Sequence, residues 1–190
     1  PFSMIRTINK NVFVDPKFFS REELDTIYSP IHTPADSVVM KKKNVVVLIM
    51  ESYGKEYIGA YNDYPGYTPF TDSLIQQSLT FDLTIANGRK SIDGMPSILS
   101  SIPRFIEPFF LTPASMNEVS GLAGELGKVG YESAFFHGAE NGSMGFEAFA
   151  KTTGYKHYLG RTEYNQDKRL NGDKDFDGMW AIWDEEFLQF

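Results

Sequence analysis

The stretch "NVVVLIMES", Asn44 to Ser52, decides the fold. Asn44–Met50 is a continuous apolar run of strand length, the pattern of a strand covered on both faces in a parallel sheet. It stops abruptly at an acid, Glu51. In open α/β sheets, ligands sit beyond the carboxyl ends of strands, so a carboxylate at that tip is placed where chemistry occurs.

Working outward, the chain alternates strand and helix patterns. Upstream, "SREELDTIYSP" reads as a short helix capped by Ser20, with Pro30 beyond it. Downstream, "GYTPFTDSLIQQS" offers Thr68 as a cap and Pro69 as the first helical residue. "LTFDLTIAN", Leu79–Asn87, alternates well enough for a second strand. "NGRKSIDGMPSILSSIP" turns on Asn87-Gly88 and enters a helical pattern at Ser91. "SMNEVSGLAGELGKVGY" opens with a capping box, Ser115 to Glu118, and runs to Gly130. "YESAFFHG", Tyr131–Gly138, reads as a third strand ending at His137. "GFEAFAKTTGY" reads as a short helix closed by Gly154. Strands alternating with capped helices indicate an α/β fold, a mainly parallel sheet sandwiched by helices. Three strand ends then bring Glu51, the Asn87–Ser91 loop and His137 to one rim.

Composition narrows the function. The chain has 190 residues, 42% hydrophobic and 23% charged, enough for one domain with a core. With 25 acidic against 18 basic residues and a net charge of −7, it lacks the clustered basic face of a nucleic-acid binder. Lys41–Lys43 reads as a solvated strand entry. There is no cysteine, which excludes disulfides, cysteine nucleophiles and thiolate metal sites. No apolar run approaches the ~20 residues of a membrane span, and no signal peptide is visible. The chain begins Pro-Phe-Ser without an initiator Met and stops inside "WAIWDEEFLQF", which reads as an amphipathic helix. The expectation is a fragment of a longer protein.

On pattern alone, Glu51 could simply begin a loop, Ser91 cap a helix and His137 serve a structural role. The chemical alternative is a carboxylate suited to a hard divalent cation, with a serine beside it able to attack phosphorus. "DKDFDG", Asp173–Gly178, matches the opening of an EF-hand loop, but its twelfth position is Asp184 and its filler is "MWAIW". A solvated acidic turn is the better reading. Trp180, Trp183, Phe187 and Phe190 recur at helical spacing and read as packing residues.

The motifs "NVVVLIMES", "GYTPFTDSL", "ANGRKSIDGMPSIL" and "FFHG…GFEAFAKTTGY" occur in one order and spacing. Together they resemble the extracytoplasmic catalytic domain of the lipoteichoic acid synthase group, within the sulfatase and alkaline phosphatase superfamily. The resemblance runs from Asn44 to the C-terminus. It implies an alkaline phosphatase-like fold, here incomplete: residues 1–43 a lead-in, and 44–190 the N-terminal portion of a phosphoglycerol transferase-like catalytic domain. It implies that Glu51 binds manganese or magnesium and that Ser91, two residues before Asp93, replaces the family's threonine as nucleophile and metal ligand. His137 resembles the histidine heading the family's substrate loop, and Arg89 and Lys90 lie where they could offset phosphate charge.

The departures from the family are specific. The tryptophan and arginine that grip glycerol phosphate correspond here to Met144 and Phe146, so the bidentate phosphate clamp is missing. The Cys/Ser-x-Pro-x-Arg signature of formylglycine sulfatases is absent, since "IDGMP" follows Ser91. No Asp-His pair follows residue 91 to complete the metal site, which leaves the ion about half its expected ligands. The resemblance therefore implies a metal-dependent phosphotransferase or phosphodiesterase acting on a lipid- or glycan-linked phosphoester. It also implies a parent held in the cell membrane through segments outside this chain, with this domain on the extracytoplasmic side. The alternatives are a non-catalytic relative that binds anionic glycans or lipid head groups, and a sulfuric ester hydrolase.

Overall fold

The computed structural model describes residues 17–29, 31, 33, 39, 41–104 and 106–190. The chain divides into two compact units, Pro1–Ser78 and Leu79–Phe190. Pro30 and residues 1–16 of the expected lead-in lie outside the described residues.

The first unit carries two short helices, α1 (Arg21–Ile27) and α2 (Pro69–Ile75). The α1 capping box forms in full. Ser20 N–H donates to Glu23 Oε2 at 2.8 Å, and Glu23 N–H donates to Ser20 Oγ at 3.2 Å. Pro69 opens α2 because its missing N–H and fixed φ cost nothing at that position. Thr68 precedes it but makes no side-chain cap; its hydroxyl lies 3.4 Å from both Tyr57 O and Asp72 Oδ1. Asp72 Oδ1 instead accepts from Ala60 N–H at 3.0 Å, tying α2 to the turns before it.

The second unit is built around a βαβ element. Strand β1 (Ala134–Phe136) leads through helix α5 (Phe146–Thr152) to strand β2 (His157–Leu159). The strands pair in parallel, with Phe135 opposite Tyr158, and His137 N–H extends the ladder to Leu159 O at 3.1 Å. Helices α3 (Ser91–Ser100), α4 (Leu122–Gly127), α6 (Arg161–Gln166) and α7 (Asp184–Phe187) complete the unit. Met95 and Leu99 from α3 meet Phe146 and Phe149 from α5 in the core. Phe109, Phe110, Phe135, Tyr155 and Tyr158 surround them. Phe110 and Phe149 stand edge to face at 5.2 Å and 88°, the geometry that ring quadrupoles favour. Gly154, at φ +91°, closes α5 as expected. A Cβ there would lie 2.6 Å from Gly124 Cα, so glycine also lets α4 approach.

Several expected elements do not form. Asn44–Met50 is not a strand, and its apolar side chains face outward, Val46 at 89% and Leu48 at 65% exposure. Leu79–Asn87 likewise forms no strand, with Leu83 and Ile85 both 84% exposed. β-branched runs favour strand geometry, yet a strand exists only when a neighbour takes its N–H and C=O groups. Among the described residues no segment pairs with either run. The third strand is three residues long where eight were expected.

The capping box at Ser115 is replaced by a 3₁₀ turn over Pro113–Met116, in which Ser115 Oγ donates to Thr112 O at 2.8 Å. The helix begins later, with Gly121 as its cap. The C-terminal aromatic run is helical only over Asp184–Phe187. The carboxylate of Asp177 accepts the N–H groups of Met179, Trp180 and Ala181, which folds that segment into a turn. Trp180 and Trp183 are consequently exposed, while Phe187 and Phe190 pack against the fully buried Tyr164.

Candidate active site

The Asn87-Gly88 turn and the exposed Arg89 and Lys90 deliver Ser91 to the first position of α3. Lys90, in extended conformation, is the N-cap, so Ser91 is not a cap. Its hydroxyl stands on the first turn, partly exposed. Helix N-termini leave N–H groups without intrahelical acceptors and carry partial positive charge. Lys90 supplies no side-chain cap for them. The α3 backbone is then stopped by Ser101, at φ +54°, and Pro96 is buried within the helix.

His137 lies just past β1, in the same unit. Its ring rests on Phe146 at 4.9 Å, and Nδ1 is 3.3 Å from the Tyr158 hydroxyl on β2. Phe146 belongs to the core that also contains Met95 and Leu99 of α3, so one packed cluster supports the carriers of both Ser91 and His137. Burial holds the imidazole below its ordinary titration range, because the charged ring would lose water without gaining a partner. Burial and the carboxylates of Glu147 and Glu163 push the Tyr158 phenol up to about 12. Tyr158 keeps its proton, and where it donates to Nδ1 the matching imidazole tautomer carries its hydrogen on Nε2.

Phe146, where the resemblance would expect a phosphate-gripping arginine, is buried at 5% exposure against His137 and serves as a packing residue. Met144, the other departure, sits at φ +51° between Gly142 and Gly145, both also left-handed. The partnership of His137 with Tyr158 was not legible in the sequence, because β2 itself carries no clear strand signal. Alternation in "KHYLG" is the only hint.

Glu51 belongs to the first unit, in a turn directly after Met50, where Ser52 Oγ donates to its Oε1 at 3.2 Å. Its carboxylate and the Ser91 hydroxyl are hard oxygen donors of the kind a divalent cation such as manganese or magnesium takes. They fit in kind and fall short in number. Among the described residues, no three His, Asp or Glu side chains cluster closely enough to hold an ion. The EF-hand pattern is a structural turn, as expected. Asp173 pairs with Arg161 at 2.8 Å, Asp175 accepts the Tyr164 hydroxyl at 2.7 Å, and Asp177 caps the turn that follows.

The fold matches a protein in the alkaline phosphatase superfamily from Vibrio parahaemolyticus, at a TM-score of 0.58 and 21% identity. That match covers 69% of this chain, which in turn spans 30% of the Vibrio protein. The fold is thus alkaline phosphatase-like, an incomplete α/β domain. Residues 43–190 match the sulfatase family model, and the chain belongs to that family. No helix among the described residues is long and apolar enough to cross a membrane.

Proposed function

We propose that this chain is the N-terminal portion, over residues 44–190, of a metal-dependent phosphotransferase or phosphodiesterase acting on a lipid- or glycan-linked phosphoester. The observation that carries the reading is the placement of Ser91. It stands on the first turn of a ten-residue helix, behind the basic residues Arg89 and Lys90. Serine Oγ gives up its proton to solvent and attacks phosphorus. The bond to the departing group breaks with its electron pair leaving on that group's oxygen, which takes up a proton, and the phosphoryl group is left on Ser91. An acceptor alcohol or water then attacks the same phosphorus and returns the electron pair to Oγ.

Arg89, Lys90 and the first N–H groups of α3 offset the charge on the phosphoryl oxygens. In the tautomer that accepts from Tyr158 at Nδ1, His137 would present Nε2–H as a donor for a phosphoryl oxygen or for the departing alkoxide. Glu51 and Ser91 would hold a manganese or magnesium ion, which when bound supplies positive charge that favours the serine alkoxide. With Phe146 in place of the arginine clamp, glycerol phosphate is not the favoured substrate. The parent is proposed to be anchored in the cell membrane, with this domain on the extracytoplasmic side.

The sulfatase family match favours one second reading, hydrolysis of a sulfate ester. Against it, the residues after Ser91 are Ile-Asp-Gly-Met-Pro and lack the arginine of the formylglycine signature. The full-length gene product, assayed with manganese on bis-p-nitrophenyl phosphate and separately on p-nitrophenyl sulfate, tests both readings. Phosphodiester cleavage that disappears in Ser91→Ala supports the proposal. Cleavage of the sulfate alone transfers the assignment to the second reading. Activity on neither substrate favours a non-catalytic relative that binds anionic head groups.

A further inference from the structure

An ion pair beside Ser91, its carboxylate buried and its guanidinium one-third exposed, has no part in the reaction above. Asp93, in the first turn of α3, is 2% exposed, and its Oδ2 accepts from Arg104 Nη1 at 3.2 Å. Arg104 lies beyond the end of the helix, and its Nη2 also donates to Ile106 O at 3.3 Å. The guanidinium thus ties the chain leaving α3 back to the turn that enters it. On the other side, a Cβ on Gly88 would lie 2.2 Å from Asp93 Cβ, so the backbone of the entry turn rests directly on this side chain. Ser91 lies between those two contact points, residues 88 and 93.

An ordinary stabilising role does not account for the pair. An acid at this helix position usually reaches back to the N-cap, but Lys90 receives no such bond. Asp93 Oδ1 is buried with no hydrogen-bond partner among the described residues. A buried carboxylate with one oxygen unsatisfied is a costly way to hold a helix, and a matched apolar pair would serve stability as well or better. Such an orphan group asks for a functional explanation.

We propose that Asp93 and Arg104 are positioning residues for Ser91. The carboxylate, held by Arg104, forms the floor on which the Gly88–Lys90 turn sits, and so fixes the serine hydroxyl in line with the phosphorus. Pairing with Arg104 also compensates a negative charge that would otherwise oppose an anionic substrate two residues away. This inference rests on Ser91 being the nucleophile.

The test uses the full-length gene product, manganese and bis-p-nitrophenyl phosphate. Ser91→Ala is measured first: undiminished activity there overturns the nucleophile and this inference together. With Ser91 established, the double variant Asp93→Leu/Arg104→Met removes the polar tie while keeping volume. A pair whose carboxylate is buried, replaced this way, is expected to retain its thermal midpoint. We expect kcat to fall at least ~30-fold with KM within ~2-fold, the signature of misaligned reacting atoms. A folded double variant with kcat within ~3-fold of the parent reduces the pair to a structural feature and overturns the inference alone. Should the double variant not fold, Arg104→Lys decides, since it keeps the charge and loses the fork. A kcat reduced ~5-fold or more at unchanged thermal midpoint and KM supports positioning, and an unchanged kcat overturns it.

Discussion

Substituting Gly88 with alanine probes the turn that carries Ser91, the proposed nucleophile, through a single added methyl. Gly88 does not occupy the left-handed region, so backbone strain is not the issue; contact is. The new Cβ would fall 2.2 Å from Asp93 Cβ and 2.9 Å from Asp93 Cγ. Carbon atoms rest at ~3.5–4.0 Å, so one side must withdraw by about 1.5 Å. Asp93 cannot retreat easily, being buried and held by Arg104. The displacement therefore falls on the turn that carries Arg89, Lys90 and Ser91. Overpacking of this kind costs about 1–3 kcal/mol of stability. A reacting group displaced by ~1 Å loses about a hundredfold in rate, so kcat is expected to fall ~100-fold with KM much less affected. Thermal unfolding followed by circular dichroism and steady-state hydrolysis of bis-p-nitrophenyl phosphate measure the two effects. An alanine variant with a parental melting temperature and kcat would refute the close packing of Gly88 on Asp93 and the positional argument built on it.

Three further outcomes follow from the second unit. Phe149→Ala empties the centre of the cluster formed with Phe109, Phe110, Met95 and Leu99, and should cost about 3–5 kcal/mol in a denaturant titration. A loss below ~1 kcal/mol would mean that these rings do not form the core. His137 is held below its ordinary value of 6.5 by burial, so the unfolded chain takes up its proton at a higher pH than the folded one. Stability is then full above 6.5 and declines as pH falls through that value towards the folded pKa. His137→Gln should flatten the change in melting temperature between neutral and mildly acidic buffer, and an unaltered slope would contradict burial of the ring. Asp177→Ala should lower the melting temperature by releasing the three N–H groups it holds, whereas calcium should leave the parent's melting temperature unchanged. A calcium-dependent rise would restore the EF-hand reading.

What was legible in the sequence was mostly local. The Ser20 cap, Pro69 at the head of α2, the helix start at Ser91 and the Gly154 closure each depend on groups within four residues of one another. The alkaline phosphatase-like fold was legible too, from motifs spread along the chain whose combined order carried the resemblance, and the fold match bears it out. The strands were read least well. "NVVVLIM" and "LTFDLTIAN" have strand composition, but composition cannot supply the neighbour whose carbonyls and amides complete a ladder. The Ser115 box failed for a related reason: Ser115 found a nearer acceptor in Thr112 O.

In the site, Ser91 and His137 could be singled out by position at element ends. Their supports could not. Tyr158 reaches His137 across a strand pair from 21 positions further along the sequence, and Arg104 reaches Asp93 from beyond the end of the helix. Only the folded chain brings those groups together.

The most direct test of the account is to trap the covalent intermediate. The full-length protein, mixed with manganese and bis-p-nitrophenyl phosphate and quenched in acid during turnover, would be examined by intact-mass and peptide mass spectrometry. The account predicts a p-nitrophenyl phosphoryl adduct on Ser91 that is absent from Ser91→Ala. Turnover with no adduct, or with the adduct on another residue, would contradict it.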